Sequence, residues 1–188
     1  GQGHKTLIGV ILVGALVAAA AAGAYGWYQE RQERAAQTLF VKAQAALVAV
    51  KQGAPVNPEE AKKVYAEIAD GYPGTVSAEE SLIRLGNLQY DGGKTVEAIA
   101  TFGRYLTTYP RGRFRVMAGV GKAYAEEAAG NLPAAEKTLS DLLPTVADDP
   151  LAGEAYSSLA HVYEVMKKPE EALRVYGQIA ERFAQTHW

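Results

Sequence analysis

The chain has 188 residues, 48% of them hydrophobic and 21% charged, with 19 basic and 21 acidic side chains and no cysteine. That allows one folded domain with an appendage, and it excludes disulfides, thiolate metal sites, cysteine nucleophiles and a lipid-modified cysteine. A net charge of −2 also lacks the concentrated basic surface that neutralising nucleic-acid phosphates requires.

From Thr6 to Tyr28 no charge occurs for 23 residues. As a helix rising 1.5 Å per residue the run is about 34 Å long, enough for a hydrocarbon core of about 30 Å. It exceeds the usual core of a secretory signal peptide and closes on Tyr25, Trp27 and Tyr28, as an interfacial belt does. A signal peptide is the competing reading, because Lys5 precedes the run and Ala18 to Ala24 offers small residues for cleavage. His4 and Lys5 lie before the span, whereas Glu30, Arg31, Glu33 and Arg34 after it cancel. The positive-inside bias then places the short N-terminus in the cytoplasm and everything after Tyr28 outside it. The absence of cysteine suits an oxidising compartment, and Gly1 in place of methionine is expected of a trimmed start. Gly14, Ala18, Ala22 and Gly26 fall four apart, a small-residue stripe along which a second transmembrane helix approaches closely. Chance spacing in an alanine-rich span is the alternative.

Downstream, Ala61, Ala98, Ala135 and Ala172 stand 37 residues apart each time. Tyr65, Phe102, Leu139 and Tyr176 keep the same interval, as do Ile68, Tyr105, Leu142 and Ile179, and the small residues Gly86, Ala123 and Ala160. This is the mark of stacked helical hairpins: a small residue lets two helices cross closely, and a large one a turn later fills the groove made with the next hairpin. Local signals place the helices. Asn57, Pro58, Glu59 and Glu60 give a cap, a first-turn proline and acids at the positive helix end; Ser77 with Glu80 reads as a capping box; Lys168, Pro169, Glu170 and Glu171 open the last helix. Tyr72-Pro73 and Tyr109-Pro110 stop two others. The predicted helices are 29–52, 58–71, 77–91, 94–109, 114–129, 132–147, 151–166 and 169–184. The span is expected to run unbroken into the first of them as far as Gln52, a rod of about 70 Å.

Leu85-Gly86, Ala98, Phe102 and Pro110, and later Leu159-Ala160, Tyr163, Ala172 and Tyr176, resemble the tetratricopeptide repeat over about 29–188. Departures are the period of 37 instead of 34, the missing consensus tryptophan, and a third unit with Leu139 for the aromatic and a longer first helix. The stretch from Tyr72-Pro73-Gly74-Thr75 to Tyr109-Pro110 is similar to the longer repeats of bacterial envelope proteins of the BamD and CpoB kind. BamD-type proteins are lipoproteins, an anchorage closed to a chain without cysteine. One N-terminal span followed by repeats resembles the YfgM family, ancillary subunits of the Sec translocon that also work with a membrane-anchored periplasmic chaperone. That resemblance implies a periplasmic adaptor.

Reactive groups are sparse. His161 with Glu164 three residues on shares a helix face, two side chains where a metal or acid/base site needs more. In Gly119-Val120-Gly121-Lys122 a phosphate loop would need glycine at Val116 and a hydroxyl at Ala123, so the lysine reads as helical. Arg111, Arg113 and Arg115 form the one basic cluster, read either as a binder of lipid headgroups or acidic partners or as a charge offsetting a helix C-terminus. Repeat arrays bind through the face lined by the first helix of each pair. The repeat register points Glu80, Asn87, Tyr90, Asp91, Tyr124, Glu127, Glu154, His161 and Glu164 there, a mildly acidic, aromatic groove for neutral or basic segments or folded partners. A solvated helix face is the alternative. Phe183 and Trp188 end the last helix without a polar cap, which predicts contact with another copy or subunit.

The expected architecture is all-α: a tail and transmembrane anchor over 1–28 and a repeat superhelix of about four hairpins over 29–188. The expected function is a noncatalytic, cofactor-free adaptor on the periplasmic face of a bacterial inner membrane, with protein partners and no nucleic acid. The alternative is a structural subunit of a larger membrane complex or filament, assembled through the span and the repeat ends. An enzyme built on His161 and Glu164 is the third class.

Overall fold

Proline and glycine punctuate the helices of this chain, and between Tyr28 and Val48 there is neither. The computed structural model, which describes residues 1–48 and 58–186, accordingly places a single helix, α1, over Gln2–Val48. The expected continuation to Gln52, the cap at Asn57, and the terminal His187 and Trp188 lie outside the described residues. Seven further helices lie among the described residues: α2 (Pro58–Gly71), α3 (Val76–Asp91), α4 (Thr95–Thr108), α5 (Arg115–Ala128), α6 (Leu132–Leu142), α7 (Ala152–Val165) and α8 (Pro169–Thr186). No strand occurs among these residues.

Most predicted ends shift by a residue or two, and the end of α6 and the cap of α3 differ in kind. The repeat pattern predicts a sixth helix reaching 147, but α6 stops at Leu142 and tightens into a 3-10 turn over Leu143–Thr145. Pro144 has no N–H to continue the ladder, and its ring crowds the preceding turn. At the start of α3 the cap is Thr75, whose hydroxyl accepts from Ala78 N at 3.0 Å; Ser77 with Glu80 is not the capping box. The first helix of the third unit is also not longer, since α5 has 14 residues against 16 in α3.

The repeat of 37 is visible in the backbone itself. The turn inside each of the last three hairpins carries one residue with positive φ, at Gly93 (75°), Gly130 (80°) and Lys167 (60°). Each turn closes with the same backbone bond: Lys94 N to Gln89 O, Asn131 N to Glu126 O and Lys168 N to Tyr163 O, all 2.8 Å. This is a Schellman closure, and the left-handed position favours glycine because a Cβ there meets the following carbonyl. Such short turns make the two helices of each hairpin antiparallel neighbours.

Side chains keep the same register. Ala61, Ala98, Ala135 and Ala172 are all buried, as are Tyr65, Phe102 and Leu139. Phe102 shows the packing rule most plainly: a Cβ on Gly86 of α3 would lie 2.6 Å from its ring, and one on Gly121 of α5 2.7 Å. The ring of α4 is thus held between the first helices of two successive units. A Cβ on Gly119 would meet Leu142 at 2.5 Å, so both glycines of the Gly119 to Lys122 string serve close helix packing. Three buried clusters succeed one another along the array, around α1 to α3, α2 to α5, and α5 to α8; Leu106 packs against both the second and the third. Each unit therefore shares its core with the next, as in other stacked repeats.

The first helix of the array is the second half of α1. Its Ala36, Phe40 and Ala43 are buried with Ala61, Val64, Tyr65 and Ile68, and the Phe40 and Tyr65 rings meet edge-on at 5.3 Å. Glu33, one turn before Ala36, accepts from Val76 N at 2.6 Å and Ser77 N at 3.1 Å, and from the Ser77 hydroxyl. A carboxylate at the positive end of α3 completes donors that the helix leaves open. The first half of α1 packs against nothing among the described residues, and Gly14, Ala18, Ala22 and Gly26 are all exposed. Its boundary is polar at the tips: Gln29 and Gln32 donate to the Tyr25 and Tyr28 hydroxyls at 2.8 Å, and Arg31 lies over the Trp27 ring at 5.6 Å.

Candidate protein-binding groove

The first helices of successive units, α3, α5 and α7, present three columns of side chains at intervals of 37. Glu80, Met117 and Glu154 form one, Asn87, Tyr124 and His161 the second, and Tyr90, Glu127 and Glu164 the third. Residues seven apart on a helix share a face, so the columns lie side by side along each helix.

The structure brings four of the expected residues together between α5 and α7. His161 Nε2 lies 3.1 Å from Glu127 Oε1, and Tyr124 and Glu154 line one cleft of about 530 Å³ with Val120, Leu151, Ser157 and Phe183. The predicted face-sharing of His161 and Glu164 does not become a contact: His161 pairs across the units with Glu127, while Glu164 accepts the Tyr176 hydroxyl of α8 at 3.1 Å. That bond raises the Tyr176 pKa, because ionising the phenol would remove the donor. Glu80 is tied to Arg84 at 2.9 Å on its own helix. Asn87, Tyr90 and Asp91 stand at the end of α3, apart from the cleft.

The wall is therefore mixed. Tyr90, Met117 and Tyr124 are exposed apolar side chains at 38%, 40% and 46%, set among Glu127, Glu154 and His161. Sequence reasoning misses Met117, although its position 37 residues from both Glu80 and Glu154 puts it in their column. An unbranched thioether adapts to differently shaped partners. Glu127 Oε2 is shut away from solvent without a hydrogen-bond partner among the described residues, so this carboxylate has acceptor capacity left over. Among the described residues no three His, Asp or Glu side chains converge as metal ligands, and the His161–Glu127 pair has no nucleophile bonded to it. What the surface offers is area, aromatic edges and negative charge.

The array is a tetratricopeptide-repeat-like superhelix. The tetratricopeptide repeat profile matches residues 80–111, which run from the second turn of α3 through α4 into the loop after it. No curated protein sequence matches the chain. Among solved structures, the nearly identical TPR-like repeats of a kinesin light chain from Podosopora anserina align with a TM-score of 0.56 at 16% identity, over 84% of this chain and 96% of that one. MamA of AMB-1 aligns with a TM-score of 0.51 at 17% identity, over 82% of this chain and 89% of its own. These likenesses are of fold.

Proposed function

We propose that this chain is a noncatalytic, membrane-tethered scaffold that holds other proteins in the groove of its repeats. The observation that carries this reading is α1: one unbroken helix whose first half is bare and apolar and whose second half is the first helix of the array. A surface of unpaired Leu, Ile and Val on this scale is unfavourable in water and at home in hydrocarbon. The groove of Tyr124, Met117 and Glu154 suits a neutral or basic segment of a partner. The periplasmic face of a bacterial inner membrane, and a place beside the translocon, rest on the bias of His4 and Lys5 and on the resemblance to the YfgM layout.

The absence of cysteine makes the test direct. In sealed membranes, single thiols at Ala22→Cys and Ala45→Cys, both exposed on α1, should differ, the first closed to a soluble maleimide and the second open from the outer side only. Equal labelling of both rejects the tether, and labelling of Ala45→Cys from the cytoplasmic side rejects the orientation. A photo-crosslinker at Tyr124 should trap a protein partner that one at Thr107, on α4, does not.

One observation favours the second reading, a structural subunit. Leu173, Tyr176 and Phe183 of α8 remain 70%, 42% and 61% exposed where the stack ends. Native extraction separates the two: a scaffold copurifies with its clients in variable amounts, and a structural subunit runs at one large size with fixed stoichiometry.

A further inference from the structure

We infer that Arg111 and Arg113 bind anionic lipid headgroups, so that the array rests on its own membrane at the loop between α4 and α5. This builds on the reading of α1 as a span, and on where the hairpins put their loops.

Phe40 meets Tyr65 while Glu33 meets Val76, so α2 runs back along α1 and the turn between α2 and α3 returns to the level of Glu33. Glu33 is five residues beyond Tyr28, about 7.5 Å along the helix, and the headgroup layer on each side of the hydrocarbon is about 5–7 Å thick. That turn therefore sits at the outer edge of the headgroups. The α4–α5 loop sits beside it: Gly74 N donates to the Tyr109 hydroxyl at 3.0 Å, and Tyr105 at the end of α4 donates to Glu79 at 2.8 Å while accepting from Phe114 N at 2.9 Å. The loop is thus pinned at both ends, facing the bilayer.

The charges of this end divide cleanly. Arg115 is used inside the protein, donating to Gly112 O at 3.2 Å and pairing with Asp149 at 3.2 Å. Arg104 takes Asp70 at 2.7 Å, and Glu33 and Glu79 are engaged by the start of α3 and by Tyr105. Arg111 and Arg113 are exposed and have neither a hydrogen bond nor an ion pair among the described residues. The structure therefore does not use them to satisfy the last carbonyls of α4. Asp70, held by Arg104, and Asp148, one connection further along, are exposed acids at this end. A guanidinium offers a planar fork that matches phosphate oxygens, and two such forks on a loop held by Tyr105 and Tyr109 face the layer where phosphates lie.

The test uses the full chain in nanodiscs of phosphatidylcholine alone or enriched in phosphatidylglycerol. A fluorophore on Thr108→Cys, the exposed last residue of α4, reports contact with a quencher carried on the lipid headgroup. Each cation near an anionic surface contributes a factor of about 5, so R111Q/R113Q should lower the lipid-contacting population roughly 30-fold in the anionic discs. High salt should act in the same direction. Equal quenching in the two lipids, or in wild type and variant, overturns the inference; so does capture of an acidic protein by the arginines with no dependence on lipid charge. Ala22→Cys in the same discs separates the failures. If it is shielded from soluble maleimide while Thr108→Cys ignores lipid charge, only the headgroup contact is wrong. If it reacts freely, the span is wrong and this inference falls with it.

Discussion

Phe102 and Tyr176 hold the same place in the second and fourth hairpins, yet one is 1% exposed and the other 42%. The difference arises from the neighbouring units and not from the two side chains. Phe102 has Gly86 behind it and Gly121 of the next unit in front, whereas α8 ends the described stack and Tyr176 turns its hydroxyl to Glu164 instead. In a repeat array a core position is defined by two neighbours, so equal sequence register gives unequal burial at the last unit.

The sharpest way to break this comparison is truncation at both sites. Phe102→Ala should cost about 3–5 kcal/mol, the range for deleting a buried aromatic, while Tyr176→Ala should cost under about 1 kcal/mol. Urea unfolding of the two variants in one detergent measures both, and equal losses would mean that Tyr176 is covered after all. Next comes Gly121→Ala, whose methyl would press on a ring held from both sides; overpacking of this kind costs about 1–3 kcal/mol, and Phe102→Leu should recover part of it.

A smaller effect of opposite sign is expected at the turns. Gly130 and Lys167 take the same left-handed conformation, and only the lysine has a Cβ to strain there. Lys167→Gly should therefore raise stability by about 1 kcal/mol, read as a higher thermal midpoint. Last is an alkaline effect in the central hairpin. Burial, reinforced by the hydrogen bond to Glu79, raises the Tyr105 pKa above its ordinary 10.0. The folded state then keeps a proton that the unfolded chain loses, so the contribution is complete below about pH 10 and declines as pH rises beyond it. Tyr105→Phe should flatten that decline in denaturation curves taken across the range; an unchanged slope would assign it to another group, such as Tyr65, whose pKa burial also raises.

Much of the fold is legible in the sequence because buried positions recur. Ala98, Phe102 and Tyr105 are apolar for the same reason as Ala135, Leu139 and Leu142, and a common interval exposes that reason without coordinates. The parts that escape have no such echo. Gly121 stands two residues before the small residue that does repeat, Ala123, and its role depends on a ring from another unit. Glu33 reads as one of four cancelling charges, and its bonds to Val76 and Ser77 span 43 and 44 residues. His161 reads as a partner of Glu164 because three residues on a helix are close; its actual partner Glu127 lies 34 residues away, close only once α5 and α7 are stacked. Pro144 is in plain view, and a helix drawn by analogy with its neighbours runs over it.

The carboxylate that ties α1 to the start of α3 has a mechanical consequence. Beyond Tyr28 the helix continues for about 20 residues to Val48, a lever of about 30 Å whose near end is bolted to the array. Spans commonly lean by about 20°, which displaces the far end of such a lever by about 10 Å. If the apolar segment spans a bilayer as proposed, its leaning or rolling swings the whole cradle through that bolt, and a client held in the proposed groove would register events inside the lipid as a change of heading.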